Sequence, residues 1–83
     1  MGSTVVVTLR DKGFSCDFEL PWDLPLADLS SRMIAVLTSQ FSEQFTEMNE
    51  LHFRTRDGSL LDENRTLRDY GVNTGMYLDI DWR

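Results

Sequence analysis

Residues 65–72 of the chain read RTLRDYGV, and this stretch decides the fold more than any other. Leu67 and Val72 are apolar anchors at either end of a short turn that carries Asp69 and Tyr70. If the Tyr70 ring is buried, its hydroxyl group needs a partner, and we then expect Tyr70 to pin this turn to another loop. Asp69 is expected to organise the turn itself. The stretch therefore predicts a tightly held turn just before the last strand.

Two strand patterns lie at the opposite end of the chain. Residues 4–10 are rich in β-branched side chains, and residues 14–20 alternate cleanly between apolar and polar side chains. Residues 11–13, Asp-Lys-Gly, form a polar turn signal between them. The two segments predict a hairpin with these side chains facing the core: Val5, Val7, Leu9, Phe14, Cys16, Phe18 and Leu20.

The apolar period changes to that of a helix after Pro25. Asp23 is a candidate N-cap, and Pro25 suits the first turn because its missing N–H is not needed there. The pattern predicts a helix over Leu26–Gln40. Its apolar stripe contains Leu26, Leu29, Met33, Ile34 and either Val36 or Leu37.

Two structures fit residues 42–50. Phe41, Phe45 and Met48 keep helical spacing, so the helix can continue, or a second short turn can start at Ser42. In the favoured interpretation the three apolar side chains close one end of the core. In the alternative, one of the aromatic side chains stays exposed for a partner.

The second half of the chain returns to strand patterns. Residues 51–56 alternate, Asp57-Gly58 is a strong hairpin signal, and residues 59–61 predict a short returning strand. Residues 76–82 predict the last strand, with Met76, Leu78 and Ile80 facing inward. One helix must then cover a mixed sheet of four to five strands, with the first and last strands side by side. This is an α+β fold, a β-grasp, and residues 1–83 form a single domain.

Composition excludes several classes of function. The 83 residues suffice for one core, and eight basic against fourteen acidic side chains give a net charge of −6. That charge disfavours binding to nucleic acid and to anionic membranes. Cys16 is the single cysteine, which excludes a disulfide within the chain and suits a reducing compartment. Neither a signal peptide nor a run of transmembrane length is present, so we expect a cytoplasmic protein without direct membrane insertion.

The residues that carry chemistry are few. His52 is the only histidine, is expected to be a solvated surface residue, and cannot build a metal site alone. Asp79 and Asp81 share one face of a strand, where salt bridges to Arg54 and Arg56 are expected rather than acid–base catalysis. Cys16 faces inward as a small buried hydrophobe. The sequence therefore predicts no enzyme, no cofactor and no metal.

Two motifs resemble the ubiquitin-like proteins, and the resemblance covers essentially the whole chain. They are DGSLLD at residues 57–62 and RTLRDYGV at residues 65–72. In that family the tyrosine hydroxyl bonds back to the preceding loop, which implies that Tyr70 reaches the backbone near Asp62. A finer resemblance is to the YukD/EsaB group, found with WXG100-type (type VII, ESX-like) secretion systems of Gram-positive bacteria. It rests on three segments: residues 24–26, residues 60–67 and residues 69–72.

The resemblance implies a cytoplasmic, non-catalytic accessory or regulatory component, peripheral to the membrane secretion complex and bound to protein partners within it. A conjugated relative needs a flexible Gly-Gly end, whereas this chain ends Asp81-Trp82-Arg83, so we expect no conjugation. Two alternatives stay open. In the first, the chain is a covalent modifier or sulfur carrier with a truncated tail. In the second, it is a ubiquitin-like module from a larger protein.

Protein recognition is expected on the face of the sheet that the helix does not cover, here named the outer face. Its mixed charge would not suit receptors of ubiquitin's apolar patch, so a partner needs complementary charges around Tyr77. An ordinary solvated face is the alternative. The candidate residues are Val6, Thr8, His52, Arg54, Arg56, Tyr77, Asp79 and Asp81.

Overall fold

Four strands and one helix follow one another in the computed structural model, which describes residues 3–83. Met1 and Gly2 lie outside the described residues, and the expectation about an N-terminal targeting sequence falls partly on them. No helix within residues 3–83 is long and apolar enough to span a membrane. The elements are β1 (Thr4–Asp11), β2 (Phe14–Pro21), α1 (Leu26–Gln40), β3 (Leu51–Arg54) and β4 (Tyr77–Trp82).

The four strands form one mixed sheet in the order β2-β1-β4-β3. β1 pairs antiparallel with β2 and parallel with β4, while β3 pairs antiparallel with β4. The prediction that the first and last strands lie side by side is confirmed. Helix α1 crosses one face and buries four side chains in the core that it shares with the sheet: Leu26, Leu29, Met33 and Leu37. This arrangement is the expected β-grasp.

Helix α1 begins where predicted, but its N-terminus is held differently. Pro25 is the N-cap residue, and no side chain caps the helix, so the prediction for Asp23 is wrong. The free amides of Leu26 and Ala27 instead donate to the backbone carbonyls of Arg65 and Glu63, at 2.8 and 3.0 Å. The loop before the RTLRDYGV turn therefore caps the helix from a distance.

The turn at residues 65–72 is locked as its sequence predicts. Leu67 and Val72 are buried, with 0% and 2% of their surface exposed. The N–H of Asp62 donates to the Tyr70 hydroxyl at 2.9 Å, which confirms the predicted link. Asp69 accepts from the N–H of Thr66 at 3.0 Å, as expected of a residue that organises the turn.

Replacing Tyr70 with Phe removes the acceptor of the Asp62 N–H. We expect the free energy of unfolding to fall by about 1 kcal/mol, because the site is near the surface and water can replace part of the bond. Urea denaturation checks this, with Tyr77→Phe as the control, since the Tyr77 hydroxyl has no hydrogen bond within residues 3–83. Equal stability of the two variants would contradict the role of the Tyr70 hydroxyl.

The helix stops at Gln40, so the continuous helix considered for residues 42–50 is wrong and a turn follows instead. Phe45 and Met48 are buried, with 0% and 5% exposed, and Phe41 is half-buried. The Phe45 ring meets Phe14 edge-on at 4.8 Å between centroids. The prediction that these residues close one end of the core is confirmed.

Two predictions about the second half of the chain are corrected. Strand β3 ends at Arg54, and the predicted returning strand is reduced to a single bridge between Arg54 and Leu60. Met76, predicted to face inward, is 44% exposed. It lies before β4, where its N–H donates to the carbonyl of Asn73 in a turn, so the strand alternation does not yet apply.

Candidate functional site

The outer face carries seven of the eight candidate residues on strands. Core side chains alternate with them along β1, β3 and β4, so that the pleat points the candidates away from the helix. Arg56 is the exception, because it lies beyond the end of β3 in the following turn. The strand residues are Val6, Thr8, His52, Arg54, Tyr77, Asp79 and Asp81.

The predicted salt bridges form only in part. Arg54 pairs with Asp81 at 3.1 Å, as expected. Asp79, however, pairs with Arg10 at 3.2 Å, and Arg56 pairs with neither aspartate. Asp79 lies opposite Arg10 in the pairing of β1 with β4 and opposite Arg54 in that of β3 with β4, and its carboxylate pairs with Arg10 while Arg54 reaches Asp81.

Arg10 is a residue of the outer face that the sequence reasoning omitted from the candidate set. Its guanidinium carbon lies 4.2 Å from the centroid of the Tyr77 ring, and that of Arg56 lies 5.2 Å from the same ring. The half-buried Tyr77 ring, at the start of β4, therefore has two cation–π partners. The sequence does predict that Arg10 shares the face of Thr8, because the two residues are two positions apart on the same strand.

The two arginine–aspartate ion pairs of this face contribute little to stability. The side chains of Arg10 and Asp79 are 44% and 38% exposed, and those of Arg54 and Asp81 are 39% and 50% exposed. Pairs this accessible contribute about 0–1 kcal/mol each, because water screens them. A partner can therefore replace one member of a pair with its own charge at little cost.

The remaining strand candidates each contact other residues of the chain. Thr8 donates its hydroxyl to Asp17 of β2. Val6 lies beside the loop that precedes β4, where its N–H donates to the hydroxyl of Thr74 at 3.0 Å. Asp79 and Asp81 each hold a different arginine, so they do not face each other as an acid–base pair would.

His52 lies at the far end of the face and is held between two glutamates. Its Nε2 lies 2.7 Å from Glu50 and its Nδ1 lies 3.2 Å from Glu63. The neutral ring can donate to one carboxylate only, whereas the protonated ring donates to both. The His52 side chain is 24% exposed, so the expectation of a freely solvated residue is corrected.

The hydrogen bond from His52, followed by the charge of the ring, lowers the pKa of Glu50 below its ordinary value of 4.5. Because the folded pKa is depressed, this contribution to stability is present above the ordinary value and is lost as the pH falls through the folded pKa. We expect His52→Leu to return the pKa of Glu50 towards 4.5.

Carboxyl NMR titration of both proteins measures this shift. Asp57 is an internal control, because hydrogen bonds from Thr55 and Ser59 lower its pKa independently of His52. An unchanged Glu50 pKa in His52→Leu, with Asp57 also unchanged, would contradict the assigned cause.

A family model described as "WXG100 protein secretion system (Wss), protein YukD" matches residues 4–80. No curated protein sequence matches the chain significantly.

Solved structures with the same fold include domains of type VII secretion proteins. The EccD5 ubiquitin-like domain from Mycobacterium xenopi has a TM-score of 0.82 at 16% identity, over 98% of this chain and 96% of that one. The ubiquitin-like domain of the Mycobacterium tuberculosis type VII secretion protein ECCD1 has a TM-score of 0.79 at 22% identity, over 94% and 97%. At 16% and 22% sequence identity, the structural similarity shows a shared fold alone.

A third similar structure is a chain of the MycP5-free ESX-5 inner membrane complex in State II. It has a TM-score of 0.78 at 21% identity, over 96% of this chain but only 21% of the longer one. The described chain thus spans about a fifth of that protein. The family model covers nearly the whole of this sequence, from residue 4 to residue 80, and its match is independent of these structures. The chain therefore belongs to the YukD family of the WXG100 protein secretion system.

Proposed function

We propose that this chain is a non-catalytic protein-binding module that serves as an accessory component of a type VII secretion system in the cytoplasm of a Gram-positive bacterium. Membership of the YukD family supports the choice of system. The observation that carries the binding role is Tyr77, whose half-buried ring lies 4.2 Å from the guanidinium carbon of Arg10 and 5.2 Å from that of Arg56. Tyrosine and arginine are the residue types most often found at binding hot spots.

The charges of the outer face determine which partner can bind. Arg10 and Arg54 alternate with Asp79 and Asp81, so a partner needs both signs in a matching order. Such complementarity gives specificity and rapid association more than affinity. Affinity then depends on how completely the partner covers Tyr77.

The binding is proposed to be non-covalent. The N–H of Arg83 donates to the carbonyl of Glu50 at 2.9 Å, and its carbonyl accepts from the N–H of Glu50 at 3.0 Å. These two bonds pair residue 83 with the residue that precedes β3. Intact mass of the endogenous protein tests the proposal: we expect no adduct, and a conjugate to another protein would revive the covalent alternative.

Deletion of the encoding reading frame tests the role in secretion. We expect export of WXG100 proteins into the medium to be lost, and to return when the gene is supplied in trans. Purification of the tagged chain under mild conditions is expected to recover secretion-system components. Unchanged export together with recovery of none of these components would overturn the proposal.

A second candidate is a ubiquitin-like domain that forms part of a longer membrane-complex protein. The observation that favours it is the similar structure in which the matching domain is 21% of a much longer chain. Sequencing of the complete reading frame distinguishes the two candidates, since the second requires membrane-spanning segments in the same frame.

A further inference from the structure

An open groove lies at the corner of the molecule where the residue 55–61 turn meets the residue 70–76 loop. Its volume is about 570 Å³. Three of the four large apolar side chains that are exposed within residues 3–83 line it, namely Leu60, Tyr70 and Met76, which are 52%, 38% and 44% exposed. We name it the Leu60 groove.

The groove exists because two strands are shorter than their sequences predict. The predicted returning strand is reduced to one bridge at Leu60 and β4 begins only at Tyr77, so Leu60 and Met76 lie outside the four strands of the sheet. Buried side chains of the core, including Leu61 and Leu78, form its floor. Clustered exposed apolar side chains above a well-packed floor are typical of a binding site.

The rim of the groove carries one residue of each charge, Arg56 and Asp57. Arg56 lines the groove, and no carboxylate within residues 3–83 lies at salt-bridge distance from it. The nearby Asp57 carboxylate accepts hydrogen bonds from the Thr55 hydroxyl and the Ser59 N–H, and so it is engaged in its own turn. The groove therefore presents apolar surface beside a carboxylate that is held by its own turn and a guanidinium that forms no ion pair within residues 3–83.

We propose that the Leu60 groove binds a short peptide segment of a protein partner in which an aromatic or aliphatic side chain lies next to an aspartate or glutamate. The apolar side chain covers Leu60 and Met76, and the carboxylate pairs with Arg56. The chain's net charge of −6 opposes this only weakly, because charges farther than about 8–10 Å are screened at physiological salt.

The position of the groove supports a peptide of the same partner that covers the outer face. Tyr77 lies on the outer face and also lines the groove, where Arg56 lies 5.2 Å from its ring, so the two surfaces are continuous. The inference rests on the protein-binding function proposed above and defines the chemistry of one segment of that partner.

Selection from a phage-displayed heptapeptide library against the full chain tests the proposal. We expect the enriched peptides to combine an apolar residue with an adjacent Asp or Glu. Their affinity, measured by fluorescence anisotropy, should fall about tenfold or more in Leu60→Ser and in Arg56→Glu. The matched control is Arg32→Glu on the exposed side of α1, which should bind like the unaltered chain.

Failure to enrich any peptide, enrichment of basic peptides, or equal binding to Leu60→Ser would overturn the proposal. So would a dimer in sedimentation equilibrium that Leu60→Ser abolishes, because the groove would then belong to a second copy of the chain. Export separates the two proposals: if gene deletion stops export but the Leu60→Ser strain exports normally, only the groove proposal fails. If deletion leaves export unchanged, the proposed function fails.

Discussion

Replacing Phe45 with Ala is expected to lower the free energy of unfolding by about 4 kcal/mol. The Phe45 side chain is completely buried, and its ring meets Phe14 and Trp82 edge-on at 4.8 and 5.4 Å between centroids. The substitution leaves a cavity and removes both aromatic contacts, which contribute about 0.5–1.5 kcal/mol each beyond their buried area. Phe45 closes the end of the core where α1 has already stopped, so no neighbouring helical turn can fill the space.

The loss is a large part of what a domain of this size possesses. At roughly 0.05–0.15 kcal/mol per residue, 83 residues correspond to about 4–12 kcal/mol. Urea denaturation followed by circular dichroism and by tryptophan fluorescence measures the change. Leu60→Ala is the control, since Leu60 is 52% exposed and its truncation should alter stability by less than about 0.5 kcal/mol. Similar losses in the two variants would show that residues 41–50 do not complete the core.

The fold could be predicted largely because its signals are local. The helical spacing from Leu26 and the strand alternation on either side of residues 11–13 depend on neighbouring residues only. The turn around Tyr70 was equally clear, because Leu67, Asp69 and Val72 combine turn chemistry with apolar anchors. Each of these signals points to the same architecture, as expected for a sequence with one preferred fold.

The errors fall where distant backbone decides the outcome. Asp23 is a suitable residue type for an N-cap, but the carbonyls of Glu63 and Arg65 accept the hydrogen bonds of the first helix amides. The Asp23 carboxylate instead accepts a hydrogen bond from Arg68 at 3.3 Å. Met76 fits the alternation of β4, yet the turn before the strand places it outside. The residues next to Asp23 and Met76 in the sequence predict neither the backbone capping of the helix nor the turn before β4.

The outer face shows the same limit. Alternation identified which strand side chains share the face, but the register between β1 and β4 depends on how the whole chain closes. The closed sheet brings both Arg10 and Arg54 opposite Asp79, and neither strand alone shows which of them forms the ion pair. The alternation predicts Arg56 on β3 because it continues two residues past the end of the strand at Arg54. The contacts of Arg10 and Arg56 with the Tyr77 ring are therefore visible only in the structure.

Replacing Tyr77 with Ala is expected to abolish the proposed role while leaving the fold intact. The ring contacts Arg10 and Arg56, and these cation–π contacts contribute about 0.5–1 kcal/mol each at an exposed site, so the variant should stay folded. Loss of an aromatic hot spot costs about 2 kcal/mol or more of binding free energy, which is roughly a 30-fold loss of affinity. A deletion strain that carries Tyr77→Ala should therefore fail to export WXG100 proteins.

The matched control is Tyr77→Phe, which keeps the ring beside the two guanidinium groups and removes a hydroxyl that has no hydrogen bond within residues 3–83. It should restore export, because the ring face rather than the hydroxyl attracts the arginines. Circular dichroism of both variants separates loss of binding from loss of folding. Full export with Tyr77→Ala would contradict a binding role for the outer face. Failure of both folded variants would instead assign the role to the hydroxyl, as a hydrogen-bond partner for the bound protein.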